Sequence, residues 1–595
     1  MGSHLNTDWV KKFLDENDRL PRILHIGNIA NNAYNNALIL RQMGFDCHVI
    51  CYDYYHIMGC PEWDGAYFEK NIQDQFSPKW HSVNLNGFQR PKWFAQGHLI
   101  DCINYLKLFC VQSSKSDELW TTLSIQNRTI KLSLIQILAQ GFISTYIKLH
   151  IGFFITKIFH ILRLFNNKKF WIYVLIYKIL LPLGEIYKRL KIHLNIKHKI
   201  GSDIFSRMLM RKYNQIGLYY VSLNNQAPII NIFSKPFKII KKILNKKIEK
   251  KNTISLKDYN KNIKKILDNY KTVKLHDVTL PFMSDFKHYR HWVKQWQSLF
   301  VHYEIVIGYA TDGIWPLICG KPYFAFEHGT IREIPFQKTP QGRLCALTYS
   351  MAEHVFVSNF DCQINANKFS RGRYTIINHP FDEDQSIENK KPNTKMTNFC
   401  KILDADILFF HPTRHDWVEG TGFADKGNDI FLRALASLRK KGNRVGLITV
   451  SWGKNIKESK ILLQKLGIKR NTLWINPQPL KKFIEYCKIS DFVVDQFKLG
   501  SFGGIMFKSL ACGTPIITFL DELSLLKQYT EIPPVINCSN EEKIISKVEY
   551  MLENPKAYQT LGKNAINWMK KYHNKNDTVD AQMRIFKENM RFQNE

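Results

Sequence analysis

A chain of 595 residues is longer than one hydrophobic core usually organises, so two or three domains are expected, and 45% hydrophobic with 13% aromatic residues can fill them. Against 51 acidic side chains stand 84 basic ones, a formal charge of +33 that asks for an anionic partner: nucleic acid, anionic lipid or a phosphorylated substrate. The 12 cysteines are scattered, with neither a Cys-x-x-Cys pair nor zinc spacing, which excludes a disulfide-stapled fold and a zinc module and fits reduced thiols in the cytoplasm.

No secretory signal is expected at the start, because Asp8 to Pro21 is polar and charged. From Pro21 a short apolar strand, Arg22 to Ile26, runs into the loop Gly27-Asn-Ile-Ala-Asn-Asn-Ala-Tyr34. A helix to about Met43 and a strand at Cys47 to Tyr52 follow. Such a βαβ start belongs to a parallel sheet covered on both faces. The loop holds four carboxamides, Asn28, Asn31, Asn32 and Asn35; amides donate and accept, so they suit sugar hydroxyls, although helix capping alone accounts for one or two.

From about Asp117 to Thr272 the pattern changes to helix-like runs of Ile, Leu and Phe broken by Lys or Arg. Between Arg128 and Lys250 there are 23 basic residues against three acids, so +20 of the +33 sits there. Sheet patterning then returns at Tyr303 to Ile307, Pro322 to Phe326, His354 to Ser358 and Tyr374 to Ile377, which makes the basic block an insertion within a first α/β domain. A polar linker, 388–397, leads to a second α/β unit with strands at Ile407 to His411, Arg444 to Val450, Thr472 to Ile475, Phe492 to Asp495 and Ile516 to Phe519. The stretch from about Glu541 to Met590 reads as helices only.

Within the second unit, Asp491 to Thr518 runs strand, glycine turn, helix, Gly513-Thr-Pro515, strand. Phe502-Gly-Gly504 falls where the helix begins; free N–H groups and the helix dipole there favour phosphate, and missing side chains let it come close. A plain turn is the competing reading. A second constellation is Phe409 to Asp429, in which Arg414 follows a strand and Lys426-Gly427 opens a helix.

These segments resemble retaining, nucleotide-sugar-dependent glycosyltransferases of family 4 type, which have the GT-B fold. Their donor segment follows Glu-x-Phe-Gly-Leu-x-x-x-Glu-Ala-Met-Ala-x-Gly-x-Pro, and their Gly-Arg and Lys-Gly hold the donor pyrophosphate. By that resemblance Arg414, Lys426 and His328 are catalytic. Gly503, Gly504, Lys508, Asp495, Gln496 and Ser501 bind donor, and Gly27, Asn28, Asn31, Asn32, Glu327 and Arg332 line the first-domain side. Gly320 to Thr330 is similar to the family's strand ending in His-Gly, and Asn378-His-Pro-Phe-Asp382 to its turn before the linker. The likeness is loose over Pro21 to Asp53, good over Ile305 to Trp568, and absent from the insertion. The structural reading of each basic residue is a solvated loop charge, and of His328 a core histidine.

Both motif glutamates are missing: their positions fall on Gly500 and Lys508. A lysine has three donors and no acceptor, so Lys508 cannot hold a ribose as glutamate does, but it suits a phosphate or an acidic sugar. Asp495 or Gln496 could supply the lost acceptor. Three readings stay open: an altered donor pocket, a nucleotide held differently, or a protein that has lost catalysis.

In the insertion, Leu132 to Thr156 has a single charge, Lys148, yet Gln136, Gln140, Ser144 and Lys148 recur every fourth residue, as on an amphipathic surface helix. Basic residues among aromatics from Phe153 to Leu183 suit an anionic headgroup region. A helical subdomain with a solvated basic face is the alternative, and nucleic acid ranks last because no recognition motif is present.

The expected organisation is a GT-B α/β protein: a first Rossmann-like acceptor domain over 20–387 carrying a basic helical insertion at 117–272, a second, donor-nucleotide domain over 398–570, and a terminal helix over 571–595 returning to the first. The expected activity is sugar transfer from a nucleotide sugar to a glycan or lipid-linked acceptor in cell-surface polysaccharide or glycolipid synthesis, peripheral to the inner membrane face. The resemblance implies no metal and no cofactor beyond the nucleotide-sugar co-substrate. An inactive GT-B scaffold or glycan-binding protein, or a sugar-nucleotide epimerase, are the alternatives.

Overall fold

The computed structural model describes residues 8–127, 253–380, 382, 394–418, 425–526 and 529–591, apart from the single positions 70, 73, 77, 274 and 276. The basic stretch 128–252, with both amphipathic segments read above, and most of the linker lie outside the described residues.

Thirteen strands form two wholly parallel sheets among these residues. In the first, β1 (Arg22–Ile26), β2 (Asp46–Tyr52), β3 (Phe94–Gly97), β4 (Ile305–Tyr309), β5 (Phe324–Glu327), β6 (His354–Val357) and β7 (Tyr374–Ile376) lie in the order β3-β2-β1-β4-β5-β6-β7. In the second, β8 (Ile407–His411), β9 (Val445–Val450), β10 (Thr472–Ile475), β11 (Phe492–Val494), β12 (Ile516–Thr518) and β13 (Ile536–Asn537) lie in the order β10-β9-β8-β11-β12-β13. Strands covered on both faces become nearly continuous apolar runs, as in β9, where all six residues are buried. Alternation within β1 sends Leu24 and Ile26 to one core and Ile23 to the other, and the register Ile23 to Cys47 and to Ile305 fixes both neighbours. The second sheet divides likewise, with Phe410 and Val493 on one side and Phe409 and Phe492 on the other.

The expected boundaries need correction. The helix Asp8–Asn17 precedes Pro21 yet buries Val10 against the first sheet, so the first domain begins earlier. The insertion as drawn over 117–272 is too wide. Leu123 of the helix Lys115–Asn127 belongs to the first core, as do Tyr259, Ile263, Ile266 and Tyr270 of the helix Leu256–Lys271. Their spacing is a core-facing stripe, which the surrounding lysines disguise in sequence. The last helix, Lys575–Arg591, buries Val579, Met583 and Phe586 against the first sheet. Gln582 exchanges amide hydrogen bonds with Asn36 at 2.9 Å in both directions.

β3 and β13 are absent from the sequence reading. Phe-Ala-Gln-Gly contains a polar residue and a glycine, and β13 is two residues long, so neither shows a period. The first sheet reverses its order between β1 and β4, the second between β8 and β11, and in open parallel sheets ligands bind at such reversals, beyond the carboxyl ends of the strands.

Candidate active site

The second-sheet crevice is built from the loops after β8 and β11. The Thr413 hydroxyl donates to Asp495 Oδ1 at 3.1 Å, tying one loop to the other. Asp495 Oδ2 is buried and has no partner among the described residues; burial raises this carboxyl's pKa, against the pull of Lys426. Over it lies Gly503, the residue before the helix Gly504–Cys512, in extended conformation and with no side-chain cap, so the first N–H groups of the helix point into the crevice.

Lys426 reaches the same place. Its ammonium donates to Gln496 Oε1 at 2.5 Å, and its backbone bridges Asp416 and Phe497. Burial first, and then the neighbouring charges of Arg414 and Arg332, press its pKa downward, with Asp495 working against them. Arg414 is 42% exposed at its side chain and contacts Asp416 Oδ2 at 3.3 Å, leaving donors for a ligand. Residues 419–424 of the loop between Arg414 and Lys426 lie outside the described residues.

Arg332 comes from the first domain, where Asp361 clamps it with Nε to Oδ2 at 2.5 Å and Nη2 to Oδ1 at 2.8 Å. Asp361 Oδ1 also accepts from the Ser501 hydroxyl at 2.6 Å, so this pair joins the turn after β5 to the donor segment. Arg332 and Arg414 thus both bear on Lys426, near an uncapped helix start, a gathering of positive charge that suits an anion.

His328 ends β5. Burial lowers its pKa to about 4, with His379 and Arg332 adding to the effect, so it stands neutral at physiological pH; its Nδ1 has no partner among the described residues. His379, read in the sequence only as part of a turn, is likewise pushed down to about 4, by burial and then Lys508. Lys508 lies over the Phe483 ring at 5.4 Å and faces Asp64 of the first domain, whose carboxyl burial raises and Lys508 pulls back. Gly500 has φ +68, and a Cβ there would press on Phe519 at 3.1 Å, so a reaching acid here would carry both backbone strain and a tight contact.

Several residues assigned from the sequence serve other purposes. Glu327 is fully buried: Oε1 accepts from the Gly329 and Ile331 amides, the second at 3.1 Å, and Oε2 from the Tyr349 hydroxyl. It shapes the turn that presents His328 and does not line the cleft. The Asn28 amide donates to Asn31 Oδ1 and to the Gly59 carbonyl, and that of Asn31 to the Cys60 carbonyl, so both are spent on tying this loop to the segment at 59–60. These two hold the loop and do not read sugar hydroxyls; of the four carboxamides, Asn32 keeps a buried oxygen without a partner among the described residues. Gln496 is committed at both ends, to Lys426 and to the Ser501 carbonyl at 2.8 Å, so it does not replace the lost glutamate. Asp64, Asp361 and Asp312, a carboxylate beside Gly27, stand at these loops and were not singled out in the sequence; only Asp312, just after a strand and before Gly313, carried a local signal.

Residues 420–568 match the family model of glycosyl transferases group 1. A sequence search of curated proteins finds no match. Similar solved structures include HepE of Anabaena in complex with UDP and glucose (14% identity, 50% of this chain and 82% of that one, TM-score 0.41). Others are a glycosyltransferase from Rickettsia africae (15%, 54% and 81%, 0.38) and sucrose-phosphate synthase of Thermosynechococcus elongatus (15%, 52% and 80%, 0.40). Two parallel Rossmann-like sheets with a group 1 glycosyltransferase match in the second define a GT-B protein.

Proposed function

We propose that the chain is a glycosyltransferase that moves a sugar from a nucleotide-sugar donor to a glycan or lipid-linked acceptor. The observation that carries this reading is the meeting of Arg332, Arg414 and Lys426 at the uncapped helix start of Gly503. Charge gathers on the diphosphate as the bond to the sugar breaks, and fixed cations in a partly dry crevice stabilise that charge more than they stabilise the intact donor. His328, neutral and on the first-domain side, offers a ring nitrogen to the donor sugar. Retention of anomeric configuration goes with the family likeness, and no metal is assigned.

The acceptor side is assigned to glycan or glycolipid synthesis at the inner face of the membrane, with the +20 stretch supplying contact with anionic lipid. Among the described residues no helix is long and apolar enough to cross a membrane. Flotation with anionic vesicles, expected to carry the protein at low salt and to lose it at high salt, tests this part.

One observation favours a second reading, a non-catalytic scaffold: the left-handed turn at Gly500, tight against Phe519, disfavours the family's first glutamate. The deciding experiment is incubation with UDP-, GDP-, ADP- and CMP-sugars, with and without glycan acceptors, reading nucleotide release. Acceptor-dependent release that Arg414→Ala abolishes supports transfer. Near-normal turnover in that variant sinks the site assignment, and conversion of the donor without any acceptor marks an epimerase.

A further inference from the structure

The first sheet has a crevice of its own, at the reversal between β1 and β4, and the diphosphate site described above leaves it unassigned. Gly27, after β1, and Asp312, after β4, bound it. A Cβ on Gly27 would fall 2.1 Å from Asp312 Oδ2, so the carboxylate rests against bare backbone that only a glycine provides, at φ +89. One oxygen is anchored: Oδ1 accepts from the Tyr52 hydroxyl, which in turn accepts from Trp315 Nε1–H at 2.8 Å. The other, Oδ2, has no hydrogen-bond partner among the described residues.

Other carboxylates of this domain are paired with arginine. Asp285 takes Arg343 in two hydrogen bonds at 2.8 Å, and Asp361 takes Arg332. Asp312 has no cation beside it among the described residues; the titratable groups facing it are Tyr52, Cys51 and Tyr289. Burial, against the Tyr52 hydrogen bond, lifts its pKa to about 7. An oriented acid with one unpartnered oxygen, no counter-charge and a glycine that lets it pack against the loop after β1 is built to receive a neutral hydrogen-bond donor.

Resting on the glycosyltransferase reading, we propose that Asp312 holds the acceptor: Oδ2 accepts a hydrogen bond from an acceptor sugar hydroxyl that enters the crevice on the side away from Gly27. The ionised acid is the stronger acceptor, so acceptor binding strengthens as pH rises through neutrality.

Asp312→Asn keeps the shape and an oxygen for Tyr52 while removing the charge. With the nucleotide sugar identified by the donor panel and a panel of methyl glycosides as acceptors, the variant should show an acceptor KM about 10-fold or more above wild type, the loss expected for a hydrogen bond to a charged group. Nucleotide affinity should stay within about twofold, since Asp312 is not among the diphosphate contacts. Wild-type acceptor KM should fall between pH 6 and pH 8 and the variant's should not. Asp312→Ser serves the same test if the amide fails to fold. Wild-type acceptor KM and pH profile in a variant that binds nucleotide normally would overturn this proposal alone. Failure of every nucleotide to bind wild type would remove the glycosyltransferase reading and this proposal with it.

Discussion

Gly503 and Asp495 are fitted to each other: a Cβ on Gly503 would stand 2.4 Å from Asp495 Oδ2. The helix start that offers its N–H groups to phosphate is thus kept in place by an acid that tolerates no side chain above it.

Gly503→Ala should therefore cost about 1–3 kcal/mol as the methyl displaces a buried carboxylate held by Thr413. Gly504→Ala, whose Cβ meets nothing within 4 Å, should leave stability within about 0.5 kcal/mol. Denaturant melts of the two variants give the contrast.

Tyr349→Phe removes the hydroxyl that donates to Glu327 Oε2 and leaves that oxygen buried without its donor. A loss of about 1–3 kcal/mol is expected. Turnover should fall too, because Glu327 shapes the turn that carries His328; thermal melts paired with nucleotide release separate the two effects.

Lys508→Glu puts an acid where the family has one, but here it would face Asp64 across the cleft. The account predicts a destabilisation of roughly 1 kcal/mol, since attraction becomes repulsion at a partly buried site, and no gain in nucleotide affinity. Tighter nucleotide binding in this variant would show that the ribose sits at Lys508 after all.

Acid should destabilise the fold early. His328, His379 and His415 are each lowered to about 4, chiefly by burial, and His573 to about 3. Between the ordinary histidine value near 6.5 and pH 4 the unfolded chain binds protons that the native state declines, so their stabilising effect is full above about pH 6.5 and lost as pH falls. Melting temperature should decline steadily across that window; a flat profile would show these rings are accessible to protons in the folded state.

The strands were legible because parallel strands covered on both faces are apolar from end to end. β1, β8 and β10 have the bounds read from sequence, whereas β3 and β13 are too short and polar to show. Arg414, Lys426 and Gly503 were legible because each sits at a fixed offset from a strand or helix end. Asp361 was not, since it reaches the site by pairing with Arg332 and with Ser501, 140 positions away. The amides of Asn28 and Asn31 misled for a similar reason: their chemistry suits sugars, but the carbonyls of Gly59 and Cys60, distant in sequence, consume it.

The central claim is that a nucleotide diphosphate binds at Lys426, Arg414, Arg332 and the Gly503 helix start. Calorimetric titration of UDP, GDP, ADP and CMP into wild type and Lys426→Gln tests it most directly. The account predicts that wild type binds at least one nucleoside diphosphate and that the variant binds it about 10- to 100-fold more weakly, the loss of a charged hydrogen bond. Equal affinity in both proteins, or no heat from any nucleotide with wild type, would contradict it.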